Sequence, residues 1–489
     1  MCVVVALLSV LAVPATYLFA RYFLERGWAL VAAFLVATSV LHLWYSQQAR
    51  PHSGAVAVTL LAVLASLRLV RKPTLSSFVL LGLAVGASIA TLQSGIATLL
   101  PLAAAFLLCS KSRASPWFLV LTLAIAGAIA FALYPSMAGT PQIKTGTPTH
   151  FLALDGSTVQ LMGHAIFLSS FNGGGIPLSV GALCLYDPLI AACAAIGLAG
   201  WIWSVRAARG LGNIFAPRTA RRSYLLVALS YALPYAAVIG LYRFSAQRFV
   251  IPLLPFLACL GAYGLRELWN LAHAGRFWHR ASVGLAIGAV LTLQATAAVR
   301  LSSIRSQPDT STEAATWIRS HIRPNDELVI VSPGIELPLL RTPDALARSR
   351  SMLPNANQRW FAYEQSAPAM ADTTVERFDL VTVPASTEED RARLLKDPAG
   401  FLRGLGTEWV VLEVHRVYDW RGVAKLRGAL GQIGELAARF SPDRIGTWGE
   451  LPIAYEGFDP RPSPVFWFLR VLQARCTGMV LEIWRVRDR

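Results

Sequence analysis

Acidic side chains are almost missing from the first three hundred positions. Only Glu25, Asp155, Asp187 and Glu267 precede Leu301, against twenty Lys and Arg residues, so the whole net charge of +16 lies there and the remainder is neutral. Charged residues of any sign are few: 15% of 489, with 55% hydrophobic, which excludes an ordinary soluble globular chain of this size. Cysteine is scarce as well. Cys2, Cys109, Cys184, Cys193 and Cys259 fall in apolar runs and only Cys476 lies outside them, so neither a disulfide framework nor a Cys/His metal spacing is present. The basic residues stand between apolar runs and form no surface with stacking groups beside it, which excludes nucleic acid as a partner. A basic segment ahead of the first apolar run is also missing; Arg21 follows that run, so it is a membrane span and not a signal peptide.

Long apolar runs are what the chain does have. Ten have the length of a membrane span or nearly so: 3–20, 28–44, 55–69, 75–90, 95–109, 117–134, 188–205, 224–242, 249–265 and 281–298. The loops between them orient the chain. Placing Arg68, Arg71 and Lys72 in the cytoplasm puts fifteen basic residues inside and five outside, namely Arg50, Lys144, Arg243, Arg248 and Arg300. The fold expected is a polytopic α-helical membrane protein of about 10 spans over residues 1–300, with a long outer loop at 135–186, followed by a C-terminal extracytoplasmic α/β domain at 301–489. A reporter fused after Arg222 should be cytoplasmic and one after Arg489 external; a cytoplasmic signal at Arg489 would overturn the orientation.

Within the outer loop, Ser157–Phe171 has an amphipathic pattern that predicts a helix lying along the membrane surface. Ser115 before Pro116 and Asp187 before Pro188 each predict an N-cap for the span that follows. In the C-terminal domain Thr312–His321 reads as helix, and Glu327–Ser332, Phe378–Val383, Trp409–Val414 and Met479–Val486 read as strands, an α/β alternation.

Three features bear on chemistry. The segment Leu41–Gly54, LHLWYSQQARPHSG, ends a span in aromatic, amide, Arg and His groups, which fit either an interfacial belt or a cavity lining formed by His42, Tyr45 and Gln48 with Arg50 and His52. Tyr242–Pro255, YRFSAQRFVIPLLP, places Arg243 and Arg248 on the face where positive charge is disfavoured; a guanidinium there fits a lipid phosphate or snorkels to headgroups. The external titratable groups ahead of the C-terminal domain include Asp155, Asp187, His52 and His164. Asp155, in LALDGS, fits a turn or a base. Asp187 fits its cap.

Two of these tracts carry a resemblance. AAFLVATSVLHLWYSQQARPHSGAVA (Ala32–Ala57) and RFVIPLLPFLACL (Arg248–Leu260) resemble GT-C glycosyltransferases of the family 39, protein O-mannosyltransferase-like group, as do the opening DTSTEAATWIRSHIRPNDELVI (Asp309–Ile330) and closing GMVLEIWRVR (Gly478–Arg487) of the C-terminal domain. That group includes the aminoarabinose lipid A transferase and the rhizobial galacturonic acid transferases. The resemblance implies an enzyme of the bacterial inner membrane that moves a sugar, with inversion, from a polyprenyl-phosphate donor to a lipid, glycan or protein acceptor on the outer face. It implies donor-phosphate contacts at Arg248, Arg243 and Arg50, and an acceptor cavity at His42, Tyr45, Gln48, Gln93 and His164. It leaves room for a divalent metal and names no other cofactor.

The chain also departs from that pattern. Aligning Leu41–Pro51 makes Met1–Ala20 the family's second span, so the first outer loop, with the family's catalytic carboxylate, is expected upstream of this sequence. His52 stands at the family's acidic position and Gln93 where relatives carry Lys. Asp155 and His52 are left as the candidate bases, and the sequence as given is expected to be a weak or inactive enzyme. The alternative expectation is a non-catalytic relative serving as a lipid-glycan binding or assembly subunit.

Overall fold

The computed structural model describes residues 2–48, 51–109, 116–135, 152–154, 158–161, 164–167, 170–207, 220–243, 245–273, 277–324, 326–331, 337–352, 376–382, 396–404, 406–414, 423–443 and 467–487. The chain divides into two compact units, Met1–Leu301 with Glu456–Phe468, and Ser302–Tyr455 with Leu469–Arg489.

The first unit is helical. Its elements are α1 (Cys2–Ala20), α2 (Arg26–Ala37), α3 (Val40–Ser46), α4 (His52–Arg71), α5 (Leu75–Thr91), a 3-10 helix (Gln93–Thr98) leading into α6 (Leu99–Leu108), α7 (Pro116–Leu133), α8 (Gly175–Tyr186), α9 (Pro188–Ala207) and α10 (Ala220–Leu241). A second 3-10 helix (Gln247–Leu253) then leads into α11 (Leu254–His273), and α12 (Phe277–Arg305) follows. Six of these helical segments are long and apolar enough to cross a membrane, or eight if each of two bent pairs is one span. The bent pairs are α2–α3, by 53°, and α8–α9, by 115°; α5 and the segment 93–108 are shorter apolar helices. Leu7, Leu107, Trp117 and Leu285 are 63% to 77% exposed, a distribution that suits lipid and not water. Such a chain is an integral membrane protein.

Small residues set how closely two spans approach. Gly82 and Gly86 stand one turn apart on α5, and a Cβ on Gly86 would lie 2.6 Å from the Ala126 carbonyl oxygen and 2.8 Å from Ile129 Cβ of α7. The seam is tied by Thr122, whose Oγ1 donates to the Phe78 carbonyl at 3.2 Å. Close backbone approach of this kind is how helices associate where no hydrophobic driving force separates helix from lipid. Gly86→Leu is therefore expected to destabilise the unit by about 1–3 kcal/mol, whereas Gly127→Leu on α7, where a Cβ meets nothing within 4 Å, should be near neutral. Melting of the two variants in detergent compares them; equal melting points would refute the seam.

The outer loop differs from expectation. Ser157–Phe171 is not a helix: β1 (Leu152–Leu154), β2 (Thr158–Leu161) and β3 (His164–Phe167) form an antiparallel meander, with Thr158 opposite Phe167 and Leu161 opposite His164. Thr158, Val159 and Ile166 are β-branched and the sequence has Gly163 between the two runs, so the segment satisfies period two better than period 3.6. The helix α8, absent from the sequence reading, follows. Ser115 lies outside the described residues.

The second unit is a mixed five-stranded sheet between helices. Its elements are α13 (Thr310–His321), β4 (Leu328–Val331), β5 (Leu340–Arg341), α14 (Pro343–Met352), β6 (Arg377–Phe378), β7 (Leu380–Thr382), α15 (Pro398–Gly404), β8 (Trp409–Val414), α16 (Val423–Ile433), β9 (Gly434–Phe440), α17 (Trp467–Gln473) and β10 (Val480–Val486). The sheet order is β7-β4-β8-β10-β9; β4 runs parallel to β7 and β8, and β10 antiparallel to β8 and β9. Alternation divides the strand residues between two cores. Val329, Val381, Val410 and Leu412 pack with Leu426 and Leu430 of α16. Leu328, Leu380, Val411 and Ile483 pack with Ala314, Ala315 and Ile318 of α13.

Candidate functional site

The tract RFVIPLLP begins as a 3-10 helix that runs directly into α11, and the two together, Gln247–His273, form one segment long and apolar enough to cross a membrane. Pro252 and Pro255 remove two backbone donors, and a short, tighter segment precedes α11, which begins at Leu254 in right-handed helical geometry (φ −54°, ψ −42°). This 3-10 helix packs against α3, the α4 region, α8 and α10. Tyr235 of α10 donates from its hydroxyl to the Phe249 carbonyl at 3.1 Å and also hydrogen-bonds the side chain of Ser94, beside Gln93. Tyr186, at the end of α8, donates to Gln247 Oε1 at 2.9 Å.

Phe249 is the centre of the arrangement. The Arg248 guanidinium carbon lies 5.3 Å from the centre of the Phe249 ring, and the His52 imidazole lies 5.9 Å from it on another side chain's approach. His52 opens α4 and is almost fully buried, while Arg248 is half-buried. Ser53, next in chain, donates to the Tyr45 carbonyl at 3.0 Å, and the His42 ring hydrogen-bonds the backbone of Ser53, so α3 and the first turn of α4 are stitched together. His42 and Tyr45 are both buried. Cation, imidazole and aromatic groups thus meet at the starts of two spans. A guanidinium near an aromatic face is attracted by the ring, and its planar fork of donors matches the geometry of a phosphate.

The remaining candidates fall elsewhere. Gln48 is half-buried just after α3, and Gln93 starts the first 3-10 helix. Arg243 is exposed, its backbone N–H donating to the Ser170 carbonyl at 2.8 Å. His164 lies in β3, and its side chain is outside the described residues, as are Arg50 and Asp155 altogether. Phe249, Gln247 and Tyr186 were not singled out from the sequence; a Gln immediately ahead of the Arg-Phe step was the available signal.

No family model matches the chain, and no curated protein matches it. Among solved structures it is similar to the oligosaccharyltransferase of Archaeoglobus fulgidus in its apo form, at 14% identity and a TM-score of 0.43. It is similar to the same protein, AglB, in complex with an inhibitory peptide and a dolichol-phosphate, at 13% identity and a TM-score of 0.43. ArnT from Cupriavidus metallidurans bound to undecaprenyl phosphate aligns at 13% identity with a TM-score of 0.44, covering 90% of this chain and 82% of that one. The chain covers 61% of the length of AglB, with 88% and 89% of its own residues aligned.

Asp187 requires a correction. Its backbone carbonyl accepts from Ala191 N at 3.0 Å, as a residue at the start of α9 should, but its side chain does not cap that helix. The carboxylate accepts from Ser39 Oγ at 2.6 Å and from the backbone N–H groups of Val40 at 2.8 Å and Leu41 at 3.2 Å, which belong to α3.

The described carboxylates of residues 1–301 are Glu25, Asp187 and Glu267. Arg266 pairs with both glutamates, and no group of three or more His, Cys, Asp or Glu among the described residues could hold a metal ion. The described residues therefore offer no fit for a divalent metal.

Proposed function

We propose that this chain is a GT-C-type membrane glycosyltransferase that moves a sugar from a polyprenyl-phosphate donor to a lipid, glycan or protein acceptor, with inversion, on the outer face of a bacterial inner membrane. The observation that carries the proposal is the grouping of Arg248 and His52 about Phe249 at the starts of two spans, in the two tracts that also bear the sequence resemblance. Fold likeness is not needed for it. In this reading Arg248 holds the donor phosphate and stabilises the charge that develops on it as the glycosidic bond breaks. Arg243 and Arg50 add positive potential, and Tyr45, His42, Gln48, Gln93 and His164 line the acceptor side. In this reading His52 is the proton acceptor among the described residues, and Asp155 is the carboxylate of the outer loop.

A second reading, a non-catalytic lipid-glycan binding or assembly subunit, is favoured by one observation: every described carboxylate of the membrane unit already has partners. Purified protein in nanodiscs, supplied with polyprenyl phosphate bearing a radiolabelled sugar and membrane acceptor, separates the two. Label reaching the acceptor, and lost in His52→Ala or Asp155→Asn, supports transfer. Donor binding without transfer supports the second reading, and neither binding nor transfer refutes both.

A further inference from the structure

We infer that Asp187 is a positioning residue, whose carboxylate reaches from the bend between α8 and α9 to fix the N-terminal turn of α3 and so the placement of His42 and Tyr45. The inference rests on the proposed function for its kinetic consequence, though its structural part does not. A span broken between Ala37 and Val40 exposes backbone groups inside an apolar bundle, where water is not available to satisfy them. Here each is met. Ser39 Oγ accepts from His42 N at 3.0 Å while donating to Asp187 Oδ2, Val40 and Leu41 donate to the two carboxylate oxygens, and the freed Thr38 carbonyl accepts from Gln294 Nε2 at 3.0 Å. Gln294 Nε2 also donates to Asp187 Oδ1 at 3.0 Å. Asp187, Gln294 and Ser39 are all completely or almost completely buried.

The carboxylate is thereby saturated. Two donors reach each oxygen, Val40 and Gln294 on Oδ1, Ser39 and Leu41 on Oδ2, which leaves no lone pair for an acceptor hydroxyl. Asp187 is thus excluded as the base, and its contribution is geometric. It joins α3, the α8–α9 bend and α12, three elements far apart in sequence. The helix it holds is the one that carries His42 and Tyr45 to the first turn of α4, beside His52. An amide at this position would turn an NH2 group toward backbone N–H donors, so Asp187→Asn loosens α3 while changing side-chain volume very little.

The test compares Asp187→Asn, Ser39→Ala and Gln294→Ala with the unsubstituted chain in nanodiscs, by sugar-transfer kinetics and by hydrogen exchange of residues 39–48. Turnover per folded molecule should fall about tenfold or more in Asp187→Asn, with donor KM changed by less than about twofold, and exchange at 39–48 should accelerate while that of 75–91 does not. Ser39→Ala and Gln294→Ala, each removing one of the four donors, should fall between. A role in stability alone would lower the yield of folded protein and leave turnover per folded molecule unchanged, and that outcome overturns the inference. If Asp187→Asn does not fold, unchanged turnover and exchange in both milder variants overturn it equally. If the unsubstituted chain transfers no sugar, the proposed function fails, and the exchange comparison still decides: faster exchange at 39–48 supports the anchoring of α3, and unchanged exchange refutes it.

Discussion

Arg248→Ala is expected to lower donor use by about a hundredfold or more, the scale seen when a preorganised group that stabilises developing charge is removed. The half-buried guanidinium lies 5.3 Å from the centre of the Phe249 ring near the start of a 3-10 helix, and Tyr235 pins the backbone there through the Phe249 carbonyl. A phosphate leaving group gains charge as the anomeric bond breaks, and a fixed fork of donors responds without reorganising. Arg248→Lys should recover little, since an ammonium does not donate in parallel to two oxygens. Arg243, exposed and five residues earlier, should matter less. Steady-state kinetics with varied polyprenyl-phosphate sugar checks this; a rate for Arg248→Ala within about twofold of the unsubstituted chain removes Arg248 from the site.

The second large effect concerns stability. Arg470 of α17 and Asp443 form a buried ion pair, their side chains 2% and 4% exposed, with Nη2 2.9 Å and 2.8 Å from the two carboxylate oxygens. Breaking such a pair from one side strands a charge away from water, which costs about 3–5 kcal/mol. Asp443→Ala should therefore unfold the second unit at markedly lower denaturant. Replacing both members, Asp443→Leu with Arg470→Met, should be much milder because no charge is left behind. Pulse proteolysis across a urea series measures both, and equal midpoints for Asp443→Ala and the unsubstituted chain would show that the pair is dispensable.

What the sequence revealed follows from how local each signal was. Apolar runs mark helices because span length is a property of consecutive residues, and Trp409–Val414 was legible as a strand because all its residues are apolar but one. Gly434–Phe440, GELAARF, was not. It lies at the edge of the sheet with most side chains exposed, and only pairing with β10 makes it a strand. The same limit applied to the site. Arg248 and His52 drew notice as charged groups at span ends, yet their meeting at Phe249 depends on tertiary packing. Asp187 looked local because Pro188 follows it, while its partners lie 146 to 148 positions earlier and, in Gln294, 107 positions later. Gln294 gave a signal that went unused: an amide in the middle of the apolar run 281–298, where a polar side chain needs a partner within the bundle.

The order of strands in the second unit bears on how it is made. β10 is synthesised last of the five, yet it lies inside the sheet, hydrogen-bonded to β8 on one side and β9 on the other. Until residues 480–486 emerge, WVVLEV presents an open apolar edge and β9 has no neighbour to pair with. Nascent chains stalled before that point hold a half-built sheet whose free edge invites pairing with other polypeptides. The sheet closes only once its last strand has emerged, and a chain released before that point is left as a substrate for chaperones and proteases.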